Sequence, residues 1–303
     1  MSRHRRGKAL PSKAWLVAAA LGGSAATLGA QSVVSCGGGH HHQVSPDPPQ
    51  PMLGGKPVCR PRPKRLIDLT HRLRPGVPIF PGGTPFAMDR VADYGEQGYR
   101  AHTFTMGENT GTHLDAPAHF IDGKRSVHEF GLDELVVPLV VIPVQTKVKD
   151  DPDYVIGGND IVDWEAIWGP VPIGALVVFN TGWHDKYNDP EAYLNADDEG
   201  VMHFPGLGRE AAALLVEREV VGIGIDTLSI DPGASTDFAA HSVMLEAGHY
   251  QLENLANLAA VPETGATAIV GVLPVANGTQ AQARVIAMVD EKVPSEMDAE
   301  GNE

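Results

Sequence analysis

A chain of 303 residues, 43% hydrophobic, has enough apolar material for a real core in one large domain or two small ones. Its formal charge of −15 becomes −20 (−15 − 5) without the five basic residues of the first 35, which excludes a nucleic-acid-binding protein; only "CRPRPKR" at 59–65 stays basic. Two cysteines, Cys36 and Cys59, are too few for a disulfide framework.

Residues 1–35 carry Arg3, Arg5, Arg6, Lys8 and Lys13, no acid, and the apolar run "AWLVAAALGGSAATLGA". Basic then apolar is the layout of a secretory signal. The run is too short, and too interrupted by glycine and threonine, for a membrane span. It ends in "VVSCGGG", which resembles a bacterial lipobox with Cys36 as the lipidated residue; a plain signal cut after Ala30 is the alternative. The paired Arg5–Arg6 hints at twin-arginine export, although the residues after it fit that signal poorly. The expectation is an exported protein, periplasmic or tethered as a lipoprotein, that touches the membrane only through its lipid. Residues 36–63, rich in Pro, Gly and His, read as a tether, with His40–His42 as a solvated spacer. The acidic stretch 292–303 reads as a frayed tail.

From 64 to 291 the chain alternates strand-like and helical runs. "RLIDLTHRL" and "AHTFTMGENTGTHLD" alternate apolar and polar residues as half-buried strands do. "LVVPLVVIPV" and "GALVVFNTG" are continuous apolar runs, which predicts strands covered on both faces. "GREAAALLVEREV" puts Ala211, Leu214 and Leu215 on one helical face and feeds the apolar strand "VVGIGIDTLSID". A second helix, "HSVMLEAG", stops at Gly248, and "ATAIVGVLPV" and "ARVIAMV" read as closing strands. These elements predict a single α/β domain with a mixed sheet flanked by helices.

Chemistry concentrates in two places. In "TGTHLDAPAHF" (110–120), His113 and Asp115 are two apart, so a strand aims both at one point. Pro117 cannot continue a central ladder, so the chain turns there and brings His119 over the same point from a loop. Imidazole with carboxylate suits Zn²⁺ or Mn²⁺. A hydrogen-bonded His–Asp pair that stabilises a turn fits this spacing equally well. Further on, His241 and Glu253 are twelve residues apart, which one unbroken helix would splay by about 120°. Gly248 breaks the helix between them and leaves Glu253 on the next extended segment. Flanked by Leu252 and Leu255, that carboxylate needs a cation, whether metal, arginine or lysine.

Together with "IDLTHRLRPGVPIFPGGTPF" (67–86), "NTGW" (180–183), "FPGL" (204–207), "GIDTLSID" (224–231) and "ENL" (253–255), these clusters resemble the cyclase-like metal-dependent hydrolases, the family of bacterial kynurenine formamidase and isatin hydrolase. The resemblance covers 64–291 and implies a barrel-like mixed sheet of the swivelling β/β/α type, and a homodimer. It implies His113, Asp115, His241 and Glu253 as ligands of one or two ions, His119 as the proton shuttle, and Phe80 in the substrate pocket. The formamidase-type pattern has a further histidine four residues before His113 on the same strand face, where this chain has Asn109. A neutral amide oxygen is the weaker donor, which leaves a loosely held ion, a leaning towards Mn²⁺, a mononuclear site, or a substrate contact at Asn109.

The remaining histidines (71, 102, 128, 184, 203 and 249) read as surface or packing residues. Asp226 and Asp231 read as carboxylates that tie down a loop or orient a ligand histidine. Thr227 and Ser229 form no legible triad, and the G-x-G at 222–224 lacks the third glycine of a dinucleotide site. The implied activity is opening of an amide-like C–N bond in a small substrate, an aryl formamide or a cyclic amide, by a metal-activated water. An ester or lactone hydrolase or a cyclase on the same site, or a non-catalytic metal- or ligand-binding lipoprotein, are the alternatives.

Overall fold

The computed structural model describes residues 65–289 and, in a separate unit, the antiparallel ribbon Met52–Leu53 with Lys56–Pro57 inside the stretch read as a tether. The signal, Cys36 and the acidic tail lie outside the described residues. No helix among the described residues is long and apolar enough to cross a membrane.

Ten strands matter to the site: β1 Arg65–Asp68, β2 Ala87–Ala92, β3 Ala101–Thr105, β4 His113–Asp115 and β5 Val136–Pro143, followed by β6 Leu176–Asn180, β7 Gly222–Ile225, β8 Tyr250–Glu253, β9 Ala266–Val272 and β10 Gln280–Val289. The longer helices are α1 Gly158–Trp168, α2 Arg209–Glu217 and α3 Ala239–Glu246. Seven strands run in the order β9–β5–β6–β7–β8–β4–β10, and β10 pairs back with β9, so the sheet closes into a barrel. β1 adds to β10 outside that ring. The stretch β5–β6–β7–β8 is parallel and the remaining pairings are antiparallel, which makes the sheet mixed.

Strand alternation explains the apolar runs. Leu139, Val141, Leu176 and Val178 pack with Leu252 and Val285 inside the barrel. Their neighbours Val140, Ile142, Val177 and Phe179 pack with Ile161, Trp164, Ala211 and Leu215 in the layer under the helices. Both faces are therefore dry, and each fully buried aliphatic contributes about 1.5–3 kcal/mol. The buried face of α2 is Ala211, Ala212 and Leu215, with Leu214 half-buried at its margin. In β7 a Cβ at Gly222 would lie 2.7 Å from the Tyr250 ring, so this glycine serves close packing and not a dinucleotide.

One expectation is corrected. The run 101–115 is not a single half-buried strand but two strands joined by a turn. Residues 102–105 of β3 are exposed and pair only with β2, whereas β4 is fully buried in the barrel. Gly107 and Gly111, the latter at φ +75°, let the backbone reverse between them. Asn109 accordingly sits in a turn and not on the strand face of His113.

Candidate metal centre and active site

The alternation that sends Leu114 and Leu252 into the barrel sends His113, Asp115, Gln251 and Glu253 to its outer face, because His113 pairs opposite Glu253 and Asp115 opposite Gln251. On the other side β10 sets Gln282 opposite His113 and Gln280 opposite Asp115. Six polar side chains thus share one face of three neighbouring strands. His241 comes down onto them from α3, which Gly248 at φ +94° closes off before β8 begins. His119 arrives from a single turn of 3-10 helix, Pro117–His119, so the proline ends the strand as its missing donor requires.

Four of these residues close a ring. His113 Nε2 lies 3.2 Å from Asp115 Oδ1 and 3.3 Å from Glu253 Oε2. His241 Nε2 lies 3.3 Å from Asp115 Oδ2 and 3.3 Å from Glu253 Oε1. All four residues are at most 5% exposed. Two donors that share one zinc ion at about 2.0–2.1 Å stand roughly 3.3 Å apart, and each imidazole keeps that spacing from one oxygen of each carboxylate. His113 Nε2 and Asp115 Oδ2 make no hydrogen bond in spite of complete burial. Orphaned polar atoms in the interior need a partner, and a divalent cation is the partner this donor set fits. Each imidazole also has its other nitrogen spoken for: His113 Nδ1 donates to Gly111 O at 2.8 Å, and His241 Nδ1 donates to Asp231 Oδ2 at 2.6 Å. Both Nε2 lone pairs are thereby turned to the centre of the ring. One trio, His113, Asp115 and Glu253, has ligand atoms within 4.8 Å of one another, and a second trio, Asp115, His119 and His241, does so too and shares Asp115 with the first.

The electrostatics agree. Burial works against a charged imidazole, but the Asp115 and Glu253 carboxylates outweigh it and hold His113 up at about 10; His241 is raised for the same reason. Asp115, in spite of burial, is held well below the usual carboxylate range by the imidazoles. Two buried carboxylates here demand two positive charges, from two protonated histidines or from one divalent ion with both histidines neutral. His119 is different: burial lowers it, and with the His241 and His113 imidazoles it outweighs the pull of the Asp115 and Glu253 carboxylates, so it is neutral near pH 7. Its ring stands 6.1 Å from that of His241 and 4.9 Å from that of Phe120.

Neighbours unseen in the sequence complete the site. Gln280 Nε2 donates to Asp115 Oδ1 at 2.8 Å, and Gln282 Nε2 donates to the carbonyls of Gly107 and Glu108. Glu108 in turn accepts from Thr279 and Gln280, so the turn carrying Asn109 is fastened to β10 from both sides. Asn109 Oδ1 lies against Gly107, where any Cβ would come within 2.9 Å of it, and the four-residue ring closes without position 109. Aromatic rings border the imidazoles. Phe120 stacks on His241 at 4.8 Å, Phe238 stands edge-on to it at 5.9 Å, and Phe80 lies 6.5 Å from Phe238. Period-2 placement of Gln280 and Gln282 was visible in the sequence, but their partner strands were not; Phe120 closes the "TGTHLDAPAHF" block without a role assigned to it there, and nothing local marked Phe238.

Asp231 orients His241 as expected, and also accepts the N–H groups of Ala240 and His241 at the start of α3. Asp226 holds Thr181 and His184 instead, away from the ring. His71 stacks face to face on Tyr187 at 3.6 Å, and Thr227 donates to the Ser229 carbonyl.

Residues 67–232 match the family model described as "Putative cyclase". Isatin hydrolase of Roseibium aggregatum is 32% identical over 241 residues, which is 74% of this chain and 91% of that protein. Kynurenine formamidase of Paracidovorax citrulli is 31% identical over 212 residues, 66% of this chain and 86% of that one. Among solved structures, isatin hydrolase A from Labrenzia aggregata, bound to benzyl benzoate, superposes with a TM-score of 0.71 at 35% identity, covering 75% of this chain and 94% of the other. The barrel, the ligand ring on its outer face and these matches agree: the chain belongs to the cyclase family of metal-dependent hydrolases.

Proposed function

We propose that this protein hydrolyses the amide-like C–N bond of a small substrate, an aryl formamide or a cyclic amide such as isatin, at the His113–Asp115–His241–Glu253 centre. The observation that carries this reading is the buried ring of two imidazoles and two carboxylates with orphaned atoms, beside a third imidazole left free to move a proton. The donor set suits Zn²⁺ or Mn²⁺, and the two overlapping trios make room for one ion or two. When bound, such an ion lowers the pKa of water and polarises a carbonyl oxygen. His119, neutral near pH 7, takes the proton from the attacking water and returns it to the departing nitrogen. Phe80 and its aromatic neighbours exclude water from the side where the substrate ring lies. Asn109, on its fastened turn at the margin of the site, is available to substrate.

Export through the N-terminal signal, a lipid on Cys36 and assembly as a homodimer belong to the same reading, supported by the signal layout and the family resemblance. A Cys36→Ser variant is expected to leave the membrane fraction or stay unprocessed; wild type that is already soluble and starts upstream of Cys36 overturns the lipid anchor.

The deciding experiment loads the protein with zinc or manganese and offers formanilide and isatin. Turnover of at least one is expected, and turnover of neither overturns the proposal. His119→Ala then separates roles. It is expected to keep its metal and melting temperature while kcat falls by about 10²–10⁴ with KM little changed. Loss of metal in proportion to activity makes His119 a ligand through the second trio; loss of stability with normal turnover makes it a packing residue.

A further inference from the structure

The residue just before α3 has an unusual backbone. Phe238 is left-handed, at φ 45° and ψ 51°. Of the six non-glycine residues with positive φ among those described, four are asparagines, which tolerate this region; Phe238 is the one bulky aromatic. If the chain needed only to turn into the helix here, glycine would do so without steric penalty. Nor does the side chain cap the helix. Asp231 already accepts from Ala240 and His241, and Phe238 makes no side-chain cap. The conformation is instead imposed from both ends: Phe238 N–H donates to Ser235 Oγ at 3.3 Å, and Phe238 O accepts from Ser242 N and Oγ, each at 3.0 Å. Strain held in this way gathers where a side chain must stand in a particular place.

That place is the rim of the site. The Phe238 ring lies 5.9 Å from His241 and 5.9 Å from Phe120, itself 4.9 Å from His119. Phe238 is half-buried and Phe120 is 37% exposed, so both leave ring surface open next to the two imidazoles. Ring separations of this size are those of edge-to-face aromatic pairs in direct contact, so the two rings form one continuous apolar face, and a third flat ring laid against its open side finds contacts of the same kind.

We propose that Phe238 is a specificity-determining residue: its strained backbone holds its ring, with that of Phe120, as a wall that selects a flat aromatic group over a puckered one of equal size. This rests on the hydrolase reading above and goes beyond it in naming the residue that chooses the substrate's shape.

Phe238→Gly and Phe238→Ala, each metal-loaded, test it. Both lose the ring, but only glycine is at ease in the left-handed region. The Gly variant is therefore expected to melt a few degrees above the Ala variant, and equal melting overturns the strain. In the Gly variant the ratio of kcat/KM for formanilide over N-cyclohexylformamide is expected to fall about tenfold at unchanged metal content. An unchanged ratio overturns the proposal, and so does metal loss, which would make Phe238 a support for His241. Calorimetric binding of benzamide reads the wall without turnover. If wild type hydrolyses neither formamide, the hydrolase reading falls while benzamide still decides about Phe238. Binding about tenfold weaker in the Gly variant supports the wall; equal affinity, or no binding to wild type, overturns it.

Discussion

Asp115 belongs to both candidate ligand trios; its two oxygens face different histidines, as those of Glu253 do, and its Oδ1 also accepts from Gln280. Removing it leaves His113 and His241 without a shared anion, so Asp115→Ala is expected to lose most bound metal, as is His113→Ala. Atomic absorption on the purified variants checks this, and full metal content in either would sink the ligand assignment. Gln280→Leu keeps every ligand but releases Oδ1, and its metal affinity is expected to fall about 10–100-fold with the fold intact. Asn109→His is expected to leave the first zinc titration step unchanged, because the ring closes without position 109. A tighter first step would place that position at the ion.

Among the elements, α3 and the strands beneath it act as one unit. Asp231, 1% exposed, fastens the first turn of α3 and aims His241 with the same carboxylate. Asp231→Ala strands those buried donors at a cost of about 1–3 kcal/mol and frees the imidazole to rotate. A lower melting temperature together with about 10–100-fold weaker metal binding is the expected pair of results. Normal metal affinity in a destabilised protein would reduce Asp231 to a helix cap. In β7, Gly222→Ala drives a methyl into the Tyr250 ring, since the new Cβ would sit 2.7 Å from it. Overpacking of that kind costs about 1–3 kcal/mol, which denaturant unfolding would register without any change in the metal site.

For the whole molecule, metal and proton compete for the same interior charge. In the metal-free protein His113 is raised to about 10 by its carboxylate neighbours against an unfolded value of 6.5. Its stabilising charge is fully present below pH 6.5 and is lost as pH rises through about 10, so the chelated protein is expected to melt progressively lower across that window. The metal-loaded protein holds these histidines neutral and is expected to stay flat there. Parallel pH dependence of the two forms would show that the ion is not bound at His113. On the acid side His71 is held down at about 4 by burial, with His184 adding to it. The unfolded chain takes up that proton from about pH 6.5, so stability is lost as pH falls from there towards 4 in both forms.

The sequence by itself determined most of the barrel strands and the order along the chain in which the candidate ligands fall. Continuous apolar runs at 136–143 and 176–180 read as strands dry on both faces, as they are, and H-x-D on a strand presents both donors to one side. Pro117 and Gly248 ended their elements for local steric reasons that need no neighbours. What the tertiary structure alone decided is which strands are adjacent and in what register. Closure of β10 on both β9 and β4 brings Gln280 beside Asp115 across 165 positions of chain, a pairing no local pattern encodes. The same holds for Asn109: its period from His113 is that of a strand, but the fastening of its turn by Glu108 and Gln282 overrides that alternation. Long-range hydrogen bonds and packing outweigh local preference there, because β10, 172 to 175 residues later in the chain, supplies the partners that settle where the turn lies.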